Sequence, residues 1–363
     1  GLQLITITKG VGQHKMTSDL VVSQKRGLET NEAEGAIVKK VRVGNELIEL
    51  DPSIERTSNL HAPTMLLTGH GAAVYSVKFD PSGQNLASGS FDKTVLLWNV
   101  YGECDNYNML RAHKNAVLEV AWGDQGHKLV SASADKTLCL WDPNAGKLKK
   151  KLTGHTGIVN SCVFGKRGGT MVVSGSDDGT VRVWDTRVRN AIDTFESKWP
   201  VLAVEVARDD DVVYTGGLDN EVKAWDLRMG AVALRLEAHT DSVTGLRLSP
   251  DSTHLLSNSM DNSMNQWDIR PFKEGSRLTK TYRGHIHNFE KTLLKCGWSP
   301  DGQMVSCGSA DRVVRVWDEL SAMELYSLPG HAGAVNEVVF HPNEPIIASC
   351  GSDKNIYLGE LGS

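Results

Sequence analysis

Six tryptophans recur along the chain at nearly even spacing. They are Trp98, Trp141, Trp184, Trp225, Trp267 and Trp317, at intervals of 43, 43, 41, 42 and 50 residues. An aspartate precedes each of them by six residues: Asp92, Asp135, Asp178, Asp219, Asp261 and Asp311. Asp353 continues the series, with Gly359 in the place of a seventh tryptophan. A period of about 40 to 45 residues is typical of propeller blades, so the pattern predicts seven similar units.

Each unit contains short apolar segments separated by turn residues. In the first unit these segments are residues 74–79, 86–88 and 95–98, with a turn at 81–83. Thirty-five glycines against 11 prolines favour many tight turns between short strands. Apolar residues on both faces of a strand indicate sheets that are covered on both sides. The sequence therefore predicts an all-β fold, a seven-bladed propeller over residues 62–363.

Residues 1–61 lie outside the predicted ring. They have mixed charge and short alternating stretches at 41–43 and 47–50, and we expect this N-terminal extension to be mostly extended or mobile. Residues 1–10 lack the basic start and apolar block of a secretory signal, so we expect no export. The longest apolar runs are far shorter than the roughly 20 residues of a membrane-spanning helix.

Composition narrows the possible functions. Six cysteines without a Cys-x-x-Cys pair predict buried free thiols in a reducing compartment. A formal net charge of −5 argues against extensive binding to nucleic acid, which needs a positive surface. A local basic patch remains compatible with that charge. Residues 147–151 hold four lysines, for which we favour a solvated outer strand over a contact with RNA phosphate.

A histidine, a hydroxyl, an aspartate and a tryptophan recur together as a tetrad. The first three sets are His70, Ser88, Asp92 and Trp98; His113, Ser131, Asp135 and Trp141; His155, Ser174, Asp178 and Trp184. The fourth unit lacks the histidine and has Ser197 near that place, and the sixth has Cys307 instead of the hydroxyl. The set resembles a hydrolase triad, but an active site is needed once and this set recurs. We therefore favour a buried structural network and predict no catalytic residue and no enzyme activity.

Other chemistry has little support in the sequence. His285 and His287 are two residues apart, as in some metal sites, but no third ligand joins them at ligand spacing. A loop is the favoured interpretation, and we predict no metal and no cofactor. A propeller hydrolase would need one unit with a unique acid, base or metal set, and the sequence offers none.

The Gly-His and Trp-Asp marks and the aspartates in register, over about residues 62–360, resemble the WD-repeat family. The resemblance implies a propeller whose last blade is completed by a strand from the other end of the chain, here residues 63–68. It also implies a structural role for the tetrads and a docking face formed by the loops before the first strand and after the second. Residues expected on that face are Tyr75, Phe91, Leu118, Leu202, Leu218, Met260 and Asn336. Large apolar side chains on that face suggest contact with another protein. The alternative is that they are packed beneath loops of the chain itself.

Four stretches go beyond the general WD pattern. Residues 99–107, 268–272, 284–291 and 328–333 are similar to those of the WD-repeat subunits of the U5 small nuclear ribonucleoprotein. This resemblance implies a nuclear, non-enzymatic scaffold of pre-mRNA splicing that binds the largest U5 protein and other spliceosome components. It implies no membrane association and a chain that is monomeric alone, and it leaves direct RNA contact open. The alternative is a WD-repeat adaptor of a chromatin or ubiquitin-ligase complex, which would use the same ring and face.

Overall fold

The computed structural model describes residues 40–43, 46–49, 56–288 and 292–362. These residues form seven four-stranded antiparallel sheets and one separate two-stranded pair. The prediction of an all-β, seven-bladed propeller is therefore confirmed. The expectation that residues 1–61 are mostly extended or mobile falls largely outside the described residues. Within the described part, no helix has the length and apolar character needed to span a membrane.

The strands follow one another with short connections. The separate pair consists of β1 Lys40–Val43 and β2 Glu46–Glu49. The strands of blades 1 to 3 are β4 Val74–Phe79, β5 Asn85–Ser90, β6 Thr94–Asn99, β7 Asn106–Arg111; β8 Val117–Trp122, β9 Leu129–Ser133, β10 Thr137–Asp142, β11 Lys147–Thr153; β12 Val159–Phe164, β13 Met171–Ser176, β14 Thr180–Asp185, β15 Ala191–Glu196.

Blades 4 to 7 repeat this arrangement. Their strands are β16 Val201–Val206, β17 Val212–Gly217, β18 Glu221–Asp226, β19 Ala231–Glu237; β20 Val243–Leu248, β21 His254–Ser259, β22 Ser263–Asp268, β23 Leu278–Arg283; β24 Cys296–Trp298, β25 Met304–Cys307, β26 Val313–Asp318, β27 Glu324–Pro329; β28 Val335–Phe340, β29 Ile346–Gly351, β30 Ile356–Glu360 and β3 Thr64–Leu67.

Burial changes from the inner to the outer strand of each blade. All six residues of β12 and of β16 are buried, because neighbouring blades cover both faces of an inner strand. The outer strand β19 instead alternates between exposed and more buried residues. Apolar clusters between successive sheets form the core, each centred on residues of two adjacent blades. All six cysteines are free and buried, as the sequence predicts.

The last blade takes strands from both ends of the described ring. β3 pairs antiparallel with β30, with Leu66 opposite Tyr357. Leu67 is only 2% exposed and belongs to the apolar cluster shared by blades 1 and 7. Ahead of this strand, Arg56 binds Glu360 through Nε at 2.8 Å. Blade 7 would otherwise present β30 as an exposed edge, so β3 both covers that edge and closes the ring.

Paired charges line the centre of the ring. Lys295, next to β24 in blade 6, binds Glu119 of blade 2 at 2.9 Å. Glu337 of blade 7 pairs with Lys78 of blade 1 and accepts the Val77 backbone N–H at 2.8 Å. Burial would raise the pKa of Glu337, but the nearby lysines outweigh that effect and lower it. Because each of these buried charges has a partner, the first pair joins blades 6 and 2 across the ring and the second joins the adjacent blades 7 and 1 without leaving an isolated charge.

Candidate protein-interaction face

The tetrad of blade 1 is a continuous hydrogen-bonded network. His70 Nδ1 lies 2.8 Å from Asp92 Oδ2, and His70 Nε2 lies 2.7 Å from Ser88 Oγ. The indole N–H of Trp98 donates to the same hydroxyl oxygen at 2.8 Å. Ser88 is 0% exposed, so no substrate reaches the hydroxyl. The network satisfies polar groups inside the blade, and the Ser88 hydroxyl is enclosed within it.

Blades 2, 3 and 5 repeat this geometry. Their histidine-to-serine distances are 2.7 Å for His113 and Ser131, 2.8 Å for His155 and Ser174, and 2.7 Å for His239 and Ser257. The matching aspartates and tryptophans are Asp135 and Trp141, Asp178 and Trp184, and Asp261 and Trp267. Burial alone would raise the pKa of Asp135, but hydrogen bonds from His113 and Thr137 outweigh it and hold that pKa well below its usual range.

Blade 4 replaces the missing histidine with a lysine. The Lys223 side chain is buried and pairs with Asp219, while Trp225 donates to Thr215 Oγ1 at 2.8 Å. Ser197, which the sequence places near the missing histidine, is buried but makes no part of this pair. Sequence reasoning missed Lys223. The available signal was a basic residue four positions after the tetrad aspartate.

Blades 6 and 7 depart from the tetrad in different ways. In blade 6 Arg315, again four positions after the aspartate, binds Asp311 at 2.6 Å. Both ring nitrogens of His285 are buried without a hydrogen-bond partner among the described residues. In blade 7 His331 still joins Ser349 and Asp353, and the Tyr357 ring packs edge-on against it at 4.6 Å. The tetrad is therefore complete in four blades.

Two further candidates from the sequence are a metal site and a basic contact with RNA. Among the residues that the structure describes, no group of three or more His, Cys, Asp or Glu side chains is placed to hold a metal ion. The lysines of residues 147–151 lie on β11, the outer strand of blade 2. Lys149 pairs with Asp142 at 2.9 Å, and Lys150 Nζ donates to the Thr186 carbonyl at 2.7 Å.

The loops that carry tetrad residues lie on one face of the ring in all blades. In an antiparallel meander the start of the first strand and the end of the second lie at the same end of the blade. The loops with the tetrad histidines and aspartates therefore share one face, called here the tetrad face. In six blades the innermost strand has a β-bulge next to this face. Tyr75, Leu118, Leu202 and Asn336 are such bulge residues, and a bulge re-aims its side chain.

The bulge residues differ in accessibility, which corrects part of the expected docking set. Tyr75 and Leu118 are half-buried, but Leu202 is 7% and Asn336 0% exposed. The Asn336 side-chain amide donates to the Val74 carbonyl of blade 1 at 2.7 Å, which draws it between two blades. Asn160 makes the equivalent bond to Val201 at 3.0 Å. Leu202 and Asn336 therefore lie beneath the tetrad face and are not available for docking.

Large apolar side chains remain exposed on this face. Phe91 is 54% and Leu218 47% exposed, each just before a tetrad aspartate, and Met260 is half-buried at the same place in blade 5. The Phe91 ring lies 6.4 Å from the Tyr75 ring. Trp199, which sequence reasoning missed, is 55% exposed in the loop entering blade 4. Its place outside the tryptophan period was not a sufficient signal, because Trp122 and Trp298 share that place.

The arrangement defines a WD-type propeller with a partly apolar tetrad face. The family model described as "WD domain, G-beta repeat" matches residues 62–99, 104–142, 146–185, 230–268, 276–318 and 323–358. The chain belongs to this WD-repeat family. The matched segments leave out most of blade 4, the blade without a tetrad histidine.

The chain is similar to known proteins over most of its length and most of theirs. The chain is 52% identical over 306 residues to the U5 small nuclear ribonucleoprotein 40 kDa protein of Homo sapiens, covering 84% of this chain and 86% of that protein. The protein of the same name from Dictyostelium discoideum is 49% identical, over 85% of this chain and 87% of its own length. Pre-mRNA-splicing factor cwf17 of Schizosaccharomyces pombe is 40% identical, over 93% and 99%.

Proposed function

We propose that this protein is a non-catalytic scaffold of pre-mRNA splicing, which binds the largest U5 protein through its tetrad face. The names of the relatives support the splicing role, because they are a U5 ribonucleoprotein component and a pre-mRNA-splicing factor. The same names support a nuclear location. The observation that carries the proposal is the set of exposed apolar side chains Phe91, Trp199 and Leu218 on the tetrad face.

The exposure of these side chains supports docking of another protein. Aromatic and large aliphatic side chains contribute most when a partner covers them, and soluble monomers rarely expose several together. Phe91 and Tyr75 form one aromatic pair in blade 1. In blade 4 the Leu218 N–H donates to the carbonyl of Pro200, the residue after Trp199. The half-buried Leu118 and Met260 add apolar surface in blades 2 and 5.

The buried tetrads support the absence of catalysis. In the four complete tetrads the hydroxyls of Ser88, Ser131, Ser174 and Ser257 are all 0% exposed. Each accepts an indole N–H as well as facing a histidine, so its position is set by packing inside the blade. Hydrolytic chemistry would need one of these hydroxyls at the surface.

The test is capture of the largest U5 protein from nuclear extract. The triple variant Phe91→Glu, Leu218→Glu and Met260→Glu places carboxylates where the partner would exclude water, and we expect at least a tenfold loss of captured protein. Trp199→Glu alone should cause a smaller loss. Ile192→Glu is the matched control, because Ile192 is 56% exposed on the outer strand of blade 3.

Circular dichroism and Tm separate a lost contact from a lost fold. A folded triple variant that still captures the U5 protein would refute docking on the tetrad face. Recovery of cullin-type ligase subunits in place of U5 proteins would favour the ubiquitin-ligase adaptor.

A further inference from the structure

The turn between the second and third strands of each blade has a left-handed residue directly after the tetrad aspartate. In blades 3, 4 and 5 this residue is one that adopts a positive φ readily: Gly179, Asn220 and Asn262. In blades 7, 1 and 2 it is a lysine, with φ of 69°, 71° and 68°: Lys354, Lys93 and Lys136. Three adjacent blades therefore hold a lysine where glycine or asparagine would be less strained, which suggests a function for its charge.

The lysines of blades 1 and 2 belong to one continuous surface. The residue after Lys93 pairs with Arg111 of the outer strand, so these two side chains lie at neighbouring strand ends. From Arg111 the chain enters blade 2, where the Lys114 backbone N–H donates to Asp135 at 3.0 Å, next to Lys136.

The same connection joins blade 7 to blade 1. β30 begins two residues after Lys354 and pairs with β3. The loop after β3 enters blade 1, where the Gly71 backbone N–H donates to Asp92 at 3.0 Å, next to Lys93. The exposed residues of these three blades are called here the cationic arc: Lys354, Lys93, Arg111, Lys114 and Lys136.

Cations outnumber carboxylates on this part of the tetrad face. The relevant groups are in the loops of the face, at the outer-strand ends that lead into them, or packed against the tetrads, with histidines taken as neutral. In blades 7, 1 and 2 the carboxylates are those of the tetrads: Asp353, Asp92 and Asp135. The cations are the five of the arc and Lys151, which binds Asp135 at 3.4 Å. Six cations against three carboxylates give a formal charge of +3.

Blades 3, 4 and 5 have the opposite charge on the same face. Their cations are Arg182, Lys198, Lys223 and Arg283. Their carboxylates are Asp177, Asp178, Glu196, Asp219, Glu237, Asp241 and Asp261. Four cations against seven carboxylates give a formal charge of −3, and the neighbouring Glu221 and Arg235 bind each other at 2.6 Å.

Blade 6 lies between the two charged halves and is balanced among its described residues. Arg312 and Arg315 stand against Asp311 and Glu324, and Arg315 binds both carboxylates. The tetrad face therefore has a positive half over blades 7, 1 and 2 and a negative half over blades 3, 4 and 5. Such a separation of charge favours one orientation of a charged partner.

Apolar side chains lie within the cationic arc. Phe91 is two residues before Lys93, and its ring lies 6.4 Å from the Tyr75 ring. Leu118 is half-buried, four residues after Lys114. A long phosphate backbone gains little from these apolar groups and would be repelled by the negative half of the face. A protein segment with carboxylates and an apolar side chain fits both features of the arc.

We infer that an acidic segment of the tetrad-face partner docks on the cationic arc, with one of its apolar side chains against Phe91. This inference rests on the proposed function, because it assigns the chemistry of the partner that the tetrad face binds. Carboxylates of the partner are attracted over blades 7, 1 and 2 and repelled over blades 3, 4 and 5. The partner therefore binds in one orientation, and its encounter with the ring is accelerated.

The test measures association of the purified largest U5 protein with the full chain at two salt concentrations. The Lys93→Asn, Lys136→Asn and Lys354→Asn triple variant has at these turns the residue that blades 4 and 5 already have. Asparagine suits the left-handed conformation, so the variant should melt no lower than the parent. We expect about fivefold slower association at about 0.1 M salt, and a rate within about twofold of the parent at about 1 M salt, where charges are screened.

The matched control removes the same charge from the opposite face. Lys147, Arg189 and Arg208 are exposed, and each lies at a loop on that face. The Lys147→Asn, Arg189→Asn and Arg208→Asn triple variant should associate at the parent rate. An equal slowing in this control would assign the effect to net charge and overturn the cationic arc.

The apolar triple variant separates this inference from the proposed function. If the Phe91, Leu218 and Met260 variant loses capture while the lysine variant associates at the parent rate at low salt, the arc is refuted and docking on the tetrad face stands. If both variants keep the parent rate, the tetrad face does not bind the U5 protein and both proposals fall.

Carbodiimide crosslinking identifies the occupant, because this reagent joins a lysine amine to a carboxylate in contact with it. We expect Lys93 and Lys136 to form amides with aspartate or glutamate side chains of one segment of the U5 protein, identified by mass spectrometry. Lys147 should form none with that segment. Absence of crosslinks from both arc lysines, or association that ribonuclease abolishes, would overturn the inference.

Discussion

Asp135→Ala is the most direct test of how a tetrad stabilises its blade. The side chain of Asp135 is 6% exposed and accepts five hydrogen bonds at once. The donors are His113 Nδ1 at 3.1 Å, the Lys114 N–H at 3.0 Å, the Thr137 N–H and hydroxyl at 3.2 and 2.5 Å, and Lys151 Nζ at 3.4 Å. Alanine removes the acceptor and leaves the buried imidazole without its partner.

The expected loss of stability depends on which of these donors can bind water once the acceptor is removed. A buried donor without a partner costs about 1 to 3 kcal/mol, and the Thr137 groups at the blade end add a smaller amount. Lys114 is exposed, so its N–H is hydrated after the substitution. We expect a loss of about 3 kcal/mol in the free energy of unfolding, which lowers Tm by roughly 5 °C for a domain of this size.

Asp311→Ala is the matched control in blade 6. Asp311 binds Arg315 rather than a histidine, and Arg315 also binds Glu324 at 2.9 Å. Arg315 therefore keeps a partner, and we expect a loss of about 1 kcal/mol. Urea denaturation of both variants and the parent at pH 7.5 measures the difference. If Asp135→Ala unfolds at the same urea concentration as Asp311→Ala, the tetrad does not stabilise the blade in the way described.

Three further predictions concern other parts of the ring. Lys223→Met leaves the Asp219 carboxylate of blade 4 buried and unpaired, so it should cost about 3 kcal/mol in urea denaturation; an unchanged midpoint would contradict the role of Lys223. Deleting residues 62–68 removes β3 and should lower Tm far more than deleting residues 1–55, whereas equal losses would remove the closure model. Burial lowers the pKa of both His285 and His287 to about 4, so below pH 6.5 the unfolded chain binds protons that the folded chain does not. Stability should therefore fall from pH 7.5 to pH 5 by about 2 kcal/mol for each histidine, and His285→Phe should reduce that slope; an equal slope in the variant would show that His285 does not titrate on unfolding.

Repetition explains why much of the fold was predictable. A tetrad joins residues within about 30 positions of one another, such as His70 and Trp98, so its members occur in one unit of the sequence. The blades without a complete tetrad were harder to recognise, because a residue of another type binds the aspartate there. Lys223 takes the place of a histidine, and Arg315 takes the aspartate that His285 would bind. Both lie four positions after the aspartate, a position that the family pattern leaves variable across the seven units.

Accessibility was the least predictable property of the candidate docking face. Tyr75, Leu202 and Asn336 occupy equivalent bulges, yet one is half-buried and two are buried. The difference arises from the neighbouring blade, since Asn336 finds the Val74 carbonyl 262 positions away in the chain. Trp199 differs from the other two tryptophans outside the period in being exposed. Trp122 and Trp298 also lie outside the period, but each donates to a carbonyl of the adjacent blade, whereas Trp199 lies on the surface.

By itself, the sequence determined the number of blades, three of the four strands in each and the members of the four complete tetrads, because all of these depend on contacts within one unit of about 40 residues. The tertiary structure alone decided which side chains the ring leaves exposed and how its centre is held. The pairing of Lys295 with Glu119 crosses from blade 6 to blade 2, and no local pattern encodes a contact between units so far apart. Exposure and long-range pairing are properties of the closed ring, since they depend on neighbours that closure brings together.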